Sequence, residues 1–173
     1  MKKIRKTICV MLAAMTLCAA GMTSCGGSDS ISAAPLNSAS EAALKTVDCA
    51  AAADRFKNEI KWVDKLNELE SGMIEKVTGV SADLYNSGKV FIGSGGATAE
   101  EIAVFEAKSI DAAEKIVEAY KKRVEAQKKA FENYQPKELD KLGDPLLENV
   151  GNLVFVCISD DKSTAKKIES ELI

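Results

Sequence analysis

The chain has 173 residues, 46% of them hydrophobic and 28% charged, with a formal net charge of −3 and no histidine. Without an imidazole, His-dependent zinc sites and Ser-His-Asp or Cys-His catalysis are excluded. The acidic balance argues against nucleic acid as a partner, and the length suits one domain with a modest core.

The chain opens with Lys2, Lys3, Arg5 and Lys6 and no acid, followed by an apolar run of thirteen residues, Ile8 to Ala20. A basic end, a short apolar core and small residues before a cut site make a secretory signal. The run is shorter than the ~20 residues that span a bilayer. Met22-Thr23-Ser24-Cys25 places a thiol directly after the small residues. That pattern resembles a bacterial lipobox, with Met22 where Leu is usual. The expectation is cleavage before Cys25 and lipid on its sulfur, two acyl chains being enough for a stable anchor. Cys18 competes poorly because bulky Leu17 precedes it. Removing residues 1–24 takes away four positive charges and no negative ones, so the charge moves from −3 to −7.

Residues 26 to about 40 are rich in Gly, Ser and Ala and read as a flexible tether with a reach of about 20 Å. The expected layout is a signal over residues 1–24, a tether over 25–40 and a single domain over 41–173. Within that domain only Cys49 and Cys157 remain, too few for a disulfide framework, so two unpaired thiols are expected.

Asp48 can cap a helix whose inner face carries Cys49, Ala52, Ala53, Phe56 and Ile60. Leu66, Leu69, Met73, Ile74 and Val77 suggest a second helical stretch, stopped by Gly79. Trp62 is expected to close the core. Lys89–Ile92 and Ile102–Phe105 read as strands of a hairpin around the glycine-rich turn 93–98. That turn is no phosphate loop, since Glu100 and Glu101 follow where Lys and Ser or Thr are needed. No cofactor motif appears elsewhere.

Asp111 to Glu132 carries Ile116, Val117, Tyr120, Val124 and Phe131 at helical spacing, capped by Ser109 or Asp111. Glu118–Lys122 and Glu125–Lys129 are expected as i,i+4 pairs on its wet face. Pro136, Gly143 and Pro145 mark an irregular connection. Leu153–Ile158 is apolar at every position, which suits an inner strand covered on both sides. Asp160 and Asp161 cap a last helix. A strand, long helix and strand in that order favour a right-handed crossover. The fold expected is α+β: a small mixed sheet of about three strands, a hairpin plus one strand after the long crossover helix, with helices packed on it.

The stretch Gly96-Ala97-Thr98-Ala99-Glu100-Glu101-Ile102-Ala103-Val104-Phe105 resembles the signature of an uncharacterised group of bacterial lipoproteins, domain of unknown function 4358. Arg123, Gln127, Phe131, Tyr134 and Pro136 extend the likeness, as does Gly151-Asn152, over about residues 45–173. The family is typical of Gram-positive anaerobes, so the resemblance implies attachment to the outer face of the cytoplasmic membrane. It brings no known activity.

One polar group stands out. Arg123 and Gln127 fall on the inward-leaning side of the long helix among Tyr120, Val124 and Phe131, where polar groups must be paired or wet. Glu101 is the natural partner for Arg123. That pair reads as a structural tie. A sharper reading makes it the edge of a pocket for a ligand or envelope protein, completed by Tyr134 and Asn152. The function expected is a membrane-anchored, non-catalytic binding or assembly module. The alternative is an envelope hydrolase using two carboxylates about 5–9.5 Å apart.

Overall fold

The computed structural model of the chain describes residues 46–173. The expected signal, Cys25, the tether and the first residues of the domain, 41–45, lie outside them. The described elements are α1 (Cys49–Glu59), β1 (Leu66–Glu68), α2 (Ser71–Thr78), β2 (Tyr85–Gly93), β3 (Glu101–Ala107), α3 (Ile110–Tyr134), a 3-10 turn (Pro136–Glu138), α4 (Leu139–Gly143), β4 (Leu146–Val150), β5 (Leu153–Ile158) and α5 (Lys162–Leu172).

The fold is α+β, but its sheet has five strands in the order β1-β2-β3-β5-β4, and every neighbouring pair is antiparallel. The mixed sheet of about three strands is therefore corrected in number and in direction. β1 was hidden because Leu66 is in helical register with the apolar residues of α2, and three residues are too few to show a strand period. β4 follows Pro145 on the sheet edge and alternates only briefly, with Leu146 buried, Leu147 half-buried and Glu148 exposed. Gly151, at φ 63°, turns β4 directly into β5. The crossover through α3 thus joins β3 to β4, which run in the same sense, and β5 slots between them antiparallel to both. This is a split β-α-β arrangement.

Both faces of the sheet are covered. Side chains alternate along a strand, so Ala103, Phe105, Val154, Val156 and Ile158 face α3, α2 and α4. Ile102, Val104, Leu153, Phe155 and Cys157 face α1 and α5. Gly88 lies opposite Phe105 across the β2–β3 pair, and a Cβ there would meet the Phe105 ring at 2.5 Å. The absent side chain lets the ring lie flat on the strand, flanked by Tyr85 and Tyr120 with centroids 5.0 and 6.2 Å away.

The helix ends follow their sequence signals. Asp48 accepts from the amides of Ala50 and Ala51, Ser109 from Ala112, and Asp161 from Thr164. Gly79 closes α2 in the left-handed conformation, φ 78°. On the wet face of α3 the ion pairs shift by one residue from expectation. Glu118 binds Lys121 and Glu125 binds Lys128, at 2.6 and 2.7 Å. Trp62 packs against the α1 side of the core and donates its indole N–H to the Lys57 carbonyl at 3.0 Å. Cys49 and Cys157 are free and buried. Burial raises both thiols, Cys157 to about 12, which keeps them protonated.

Candidate functional site

Glu100 and Glu101 are consecutive, and both are almost fully buried, at 2% and 1% exposure. Each carries a charge into the interior, so each needs its own compensation. Consecutive side chains of an extended chain diverge, and the two carboxylates are met by different elements.

Glu101, the first residue of β3, points toward α3. Arg123 holds it with a forked contact: Nε lies 3.1 and 2.9 Å from the two carboxylate oxygens, and Nη2 lies 2.7 Å from Oε2. The remaining arm, Nη1, donates to the Val77 carbonyl at the end of α2, at 2.5 Å. One guanidinium thus joins β3, α2 and α3. Burial pushes the Glu101 carboxyl above its usual range, and Arg123 pulls it back only in part. Tyr120 is fully buried beside this pair, and burial with the Glu101 charge drives its phenol well above its ordinary value. The Tyr120 hydroxyl faces Glu101 and Thr78, yet no hydrogen bond of normal geometry closes on it. Gln127 also lies beside Glu101, and its buried Oε1 has no partner.

In front of Arg123 and Gln127 lies an open groove of about 1000 Å³ between α3 and the end of α2. Val77, Leu84, Ala119, Ala126 and Ala130 give it a largely apolar floor, and Asp111, Glu114, Lys115, Glu118 and Lys122 edge it.

Glu100 is tied differently. It accepts the amides of Val63 and Asp64 at 2.8 to 3.1 Å and pairs with Lys141 at 3.1 Å. Lys141, on α4 and only 3% exposed, also lies 3.1 Å from Glu138 and 3.6 Å from Asp160. Glu138 in turn accepts the Ala99 amide at 2.8 Å. Burial works against the Lys141 charge, but Glu100 and Glu138 outweigh it and its pKa rises. Asp64 extends the network to the glycine-rich turn by accepting from Gly95 N at 3.0 Å and Ser94 Oγ at 3.1 Å. Among the described residues, no group of three or more acidic or thiol side chains could hold a metal ion, and no helix is long and apolar enough to cross a membrane.

Of the residues singled out from sequence, Glu101, Arg123 and Gln127 come together. Tyr134 does not join them. It is 67% exposed at the far end of α3, about 16 Å along the axis from Arg123, and its ring packs at a tilt against Phe131, centroids 6.3 Å apart. Asn152 does not join them either. It is buried at the opposite end of β3, where its Nδ2 donates to the Ala107 carbonyl at 3.4 Å. Asp160 leans toward Lys141 instead of capping α5, which Asp161 does alone. Tyr120 is core, as its spacing predicts, and also borders Glu101; Glu138 and Lys141 are the site residues that the sequence reading misses. The signal for Lys141 was the Glu100-Glu101 doublet itself, since two buried acids in a row demand two cations; Glu138, a third acid, had none.

No curated protein and no solved structure matches the chain. The model of the domain of unknown function DUF4358 matches residues 60–159, a narrower span than the resemblance suggested, with α1 and α5 outside it. Glu100, Glu101, Arg123 and Lys141 all lie inside the match, so the signature around residues 96–105 coincides with the strand start that anchors both buried charge clusters. The chain belongs to the DUF4358 family.

Proposed function

We propose that the protein is held by lipid on Cys25 at the outer face of a cell membrane. There its domain binds or assembles with another envelope component and catalyses no reaction. The leader pattern, with four basic residues, thirteen apolar ones and Cys25 after small residues, supports the location. The observation that carries the binding reading is the groove between α2 and α3. It is broad, open and apolar at its floor, and it is walled by Arg123 and Gln127, whose positions the buried Glu101 fixes. The buried acids Glu100, Glu101 and Glu138 are each engaged by a cation or by backbone N–H groups. A carboxylate-based hydrolase instead needs two acids facing each other across a cleft.

Two measurements test the proposal. Cys25→Ser is expected to leave an unprocessed precursor or to move the protein off the membrane fraction. Full processing with unchanged membrane attachment removes the anchor. Crosslinking of the anchored protein in its own membranes should give a reproducible envelope adduct. Ala126→Arg, which fills the groove, should abolish that adduct, and Lys166→Glu on α5 should not. Equal adducts from both variants remove the groove as the binding face.

A further inference from the structure

We infer that the groove receives a second copy of this chain, so that two domains pair through their α3 helices. The inference deepens the binding reading and rests on it. Its basis is the charge order along the exposed side of α3. Asp111, Glu114, Lys115 and Glu118 are exposed on the first half, and Lys122, Glu125 and Lys129 on the second. These positions recur at spacings of three and four residues and so share one side of the helix. Asp111, Glu114, Lys115, Glu118 and Lys122 also edge the groove.

A two-fold axis crossing α3 near Tyr120 lays this side antiparallel on its own copy. Residue numbers that face each other then sum to 240. Glu118 meets Lys122 and Asp111 meets Lys129, each pair occurring twice. Lys115 and Glu125 stand at the same level on opposite flanks of the seam, as do Glu114 and Ala126, and no two like charges share a level. The reverse, parallel arrangement places every charge against itself. An isologous contact requires self-complementarity of this kind. The uncharged Ala119, Ala126 and Ala130 beside the charges let the two helices approach over the apolar floor. A contact confined to one helix and its groove is small, so it forms weakly in dilute solution and gains from tethering both copies to one membrane. Because its ion pairs are exposed, added salt weakens it.

The test uses the full chain in its own membranes with a photoreactive benzophenone amino acid in place of Lys115, a long exposed side chain at the groove's edge, which leaves the alanine surface free. The expected product is an adduct of twice the chain mass, absent when the probe replaces Lys166 on α5. An adduct with a different protein overturns the pairing and leaves the binding reading standing. No adduct at all removes both. Equal doubling from the two probe positions shows only crowding and overturns the pairing. Charge exchange then reads the geometry: Glu118→Lys and Lys122→Glu should each reduce the doubled adduct at least tenfold. The double variant should restore it, because the exchanged pair is again complementary across the axis. Single exchanges without effect, or a double exchange that fails to restore, overturn the antiparallel register.

Discussion

Glu100 and Glu101 share a backbone, a residue type and a degree of burial, yet they do different work. Glu100 is saturated. Two amides and an ammonium fill its acceptor sites, and the same ammonium is shared with Glu138 and Asp160. That cluster clamps the segment after α1, the glycine-rich turn and α4 to one end of the sheet. Glu101 has a single strong partner, Arg123, and next to it two buried oxygens lack a well-formed hydrogen bond. The first arrangement gives its carboxylate three partners, although Thr98 Oγ1 in the adjoining turn has none and a groove of about 820 Å³ borders Lys141 and Glu138. The second is less completely satisfied and stands directly behind the groove between α2 and α3. A fully paired buried charge fixes a backbone, whereas an incompletely paired one marks where a neighbouring molecule could change the local energy.

Breaking each cluster at its cation sharpens this contrast. Lys141→Ala leaves Glu100 and Glu138 buried without their counter-charge and should cost about 5 kcal/mol, at the upper end for broken buried pairs. Arg123→Ala leaves one carboxylate uncompensated, and the 18% exposure of the Arg123 side chain lets water reach the gap, so a loss of about 3 kcal/mol is expected. Urea midpoints at constant slope read both. A larger loss from Arg123→Ala than from Lys141→Ala would reverse the order of the two clusters. Replacing both partners, Glu101→Leu with Arg123→Met, should recover most of the single-variant loss, because no charge is then stranded.

Much of this arrangement was legible from sequence, and the parts that were not have physical reasons. The Arg123–Glu101 tie followed from a polar residue on the apolar side of a long helix. The two-sided burial of β5 followed from its unbroken apolar run. β1 and β4 were missed because edge strands are short and lean on register with neighbours rather than on a period of their own. Missing β4 also misplaced the crossover, since one additional strand reverses the direction of β5. Tyr134 and Asn152 share the family likeness with Arg123, but 11 residues of helix and the full length of β3 separate them from it. The Glu100-Glu101 doublet calls for a second cation, but Lys141 and Glu138 sit in a stretch with no regular period, where charge ordinarily means solvent, so nothing in the sequence locates it.

The hairpin that presents both glutamates depends on close packing at Gly88. A methyl group there would overlap the Phe105 ring, whose atoms lie 2.5 and 2.8 Å from the Cβ position. Phe105 is fully buried between Tyr85 and Tyr120 and cannot swing away. Gly88→Ala should therefore cost about 2 kcal/mol through overpacking. Because Tyr120 flanks both this ring and Glu101, the strain should also reach the Arg123 side of the sheet. Faster amide hydrogen exchange in α3 than around Lys141 would show that path, and equal effects on both would argue against it.

The smallest expected effect is a gain. Glu169 on α5 is 7% exposed, and its Oε1 has no partner. The register places Glu148 opposite Phe155, on the side of the sheet that α5 covers. Burial raises the Glu169 carboxyl and Glu148 raises it further, while Lys166 opposes them. An acid whose folded pKa lies above its unfolded one binds more protons when folded, so stability falls as pH rises between the two values. At low pH both states are protonated and the penalty is absent. Glu169→Gln should therefore stabilise the protein by about 1 kcal/mol or less at neutral pH, because it removes a charge that burial and Glu148 both disfavour and that solvent partly screens. Its advantage should shrink toward zero as pH drops below the ordinary carboxylate range. Denaturation midpoints of both proteins across that range give the answer, and a difference that stays constant with pH would mean that Glu169 does not titrate between the two states. The position is useful for the comparison of charge clusters because it is a buried acid with no cation in hydrogen-bonding contact. Glu100 and Glu101 show what pairing achieves, and Glu169 measures how much its absence costs.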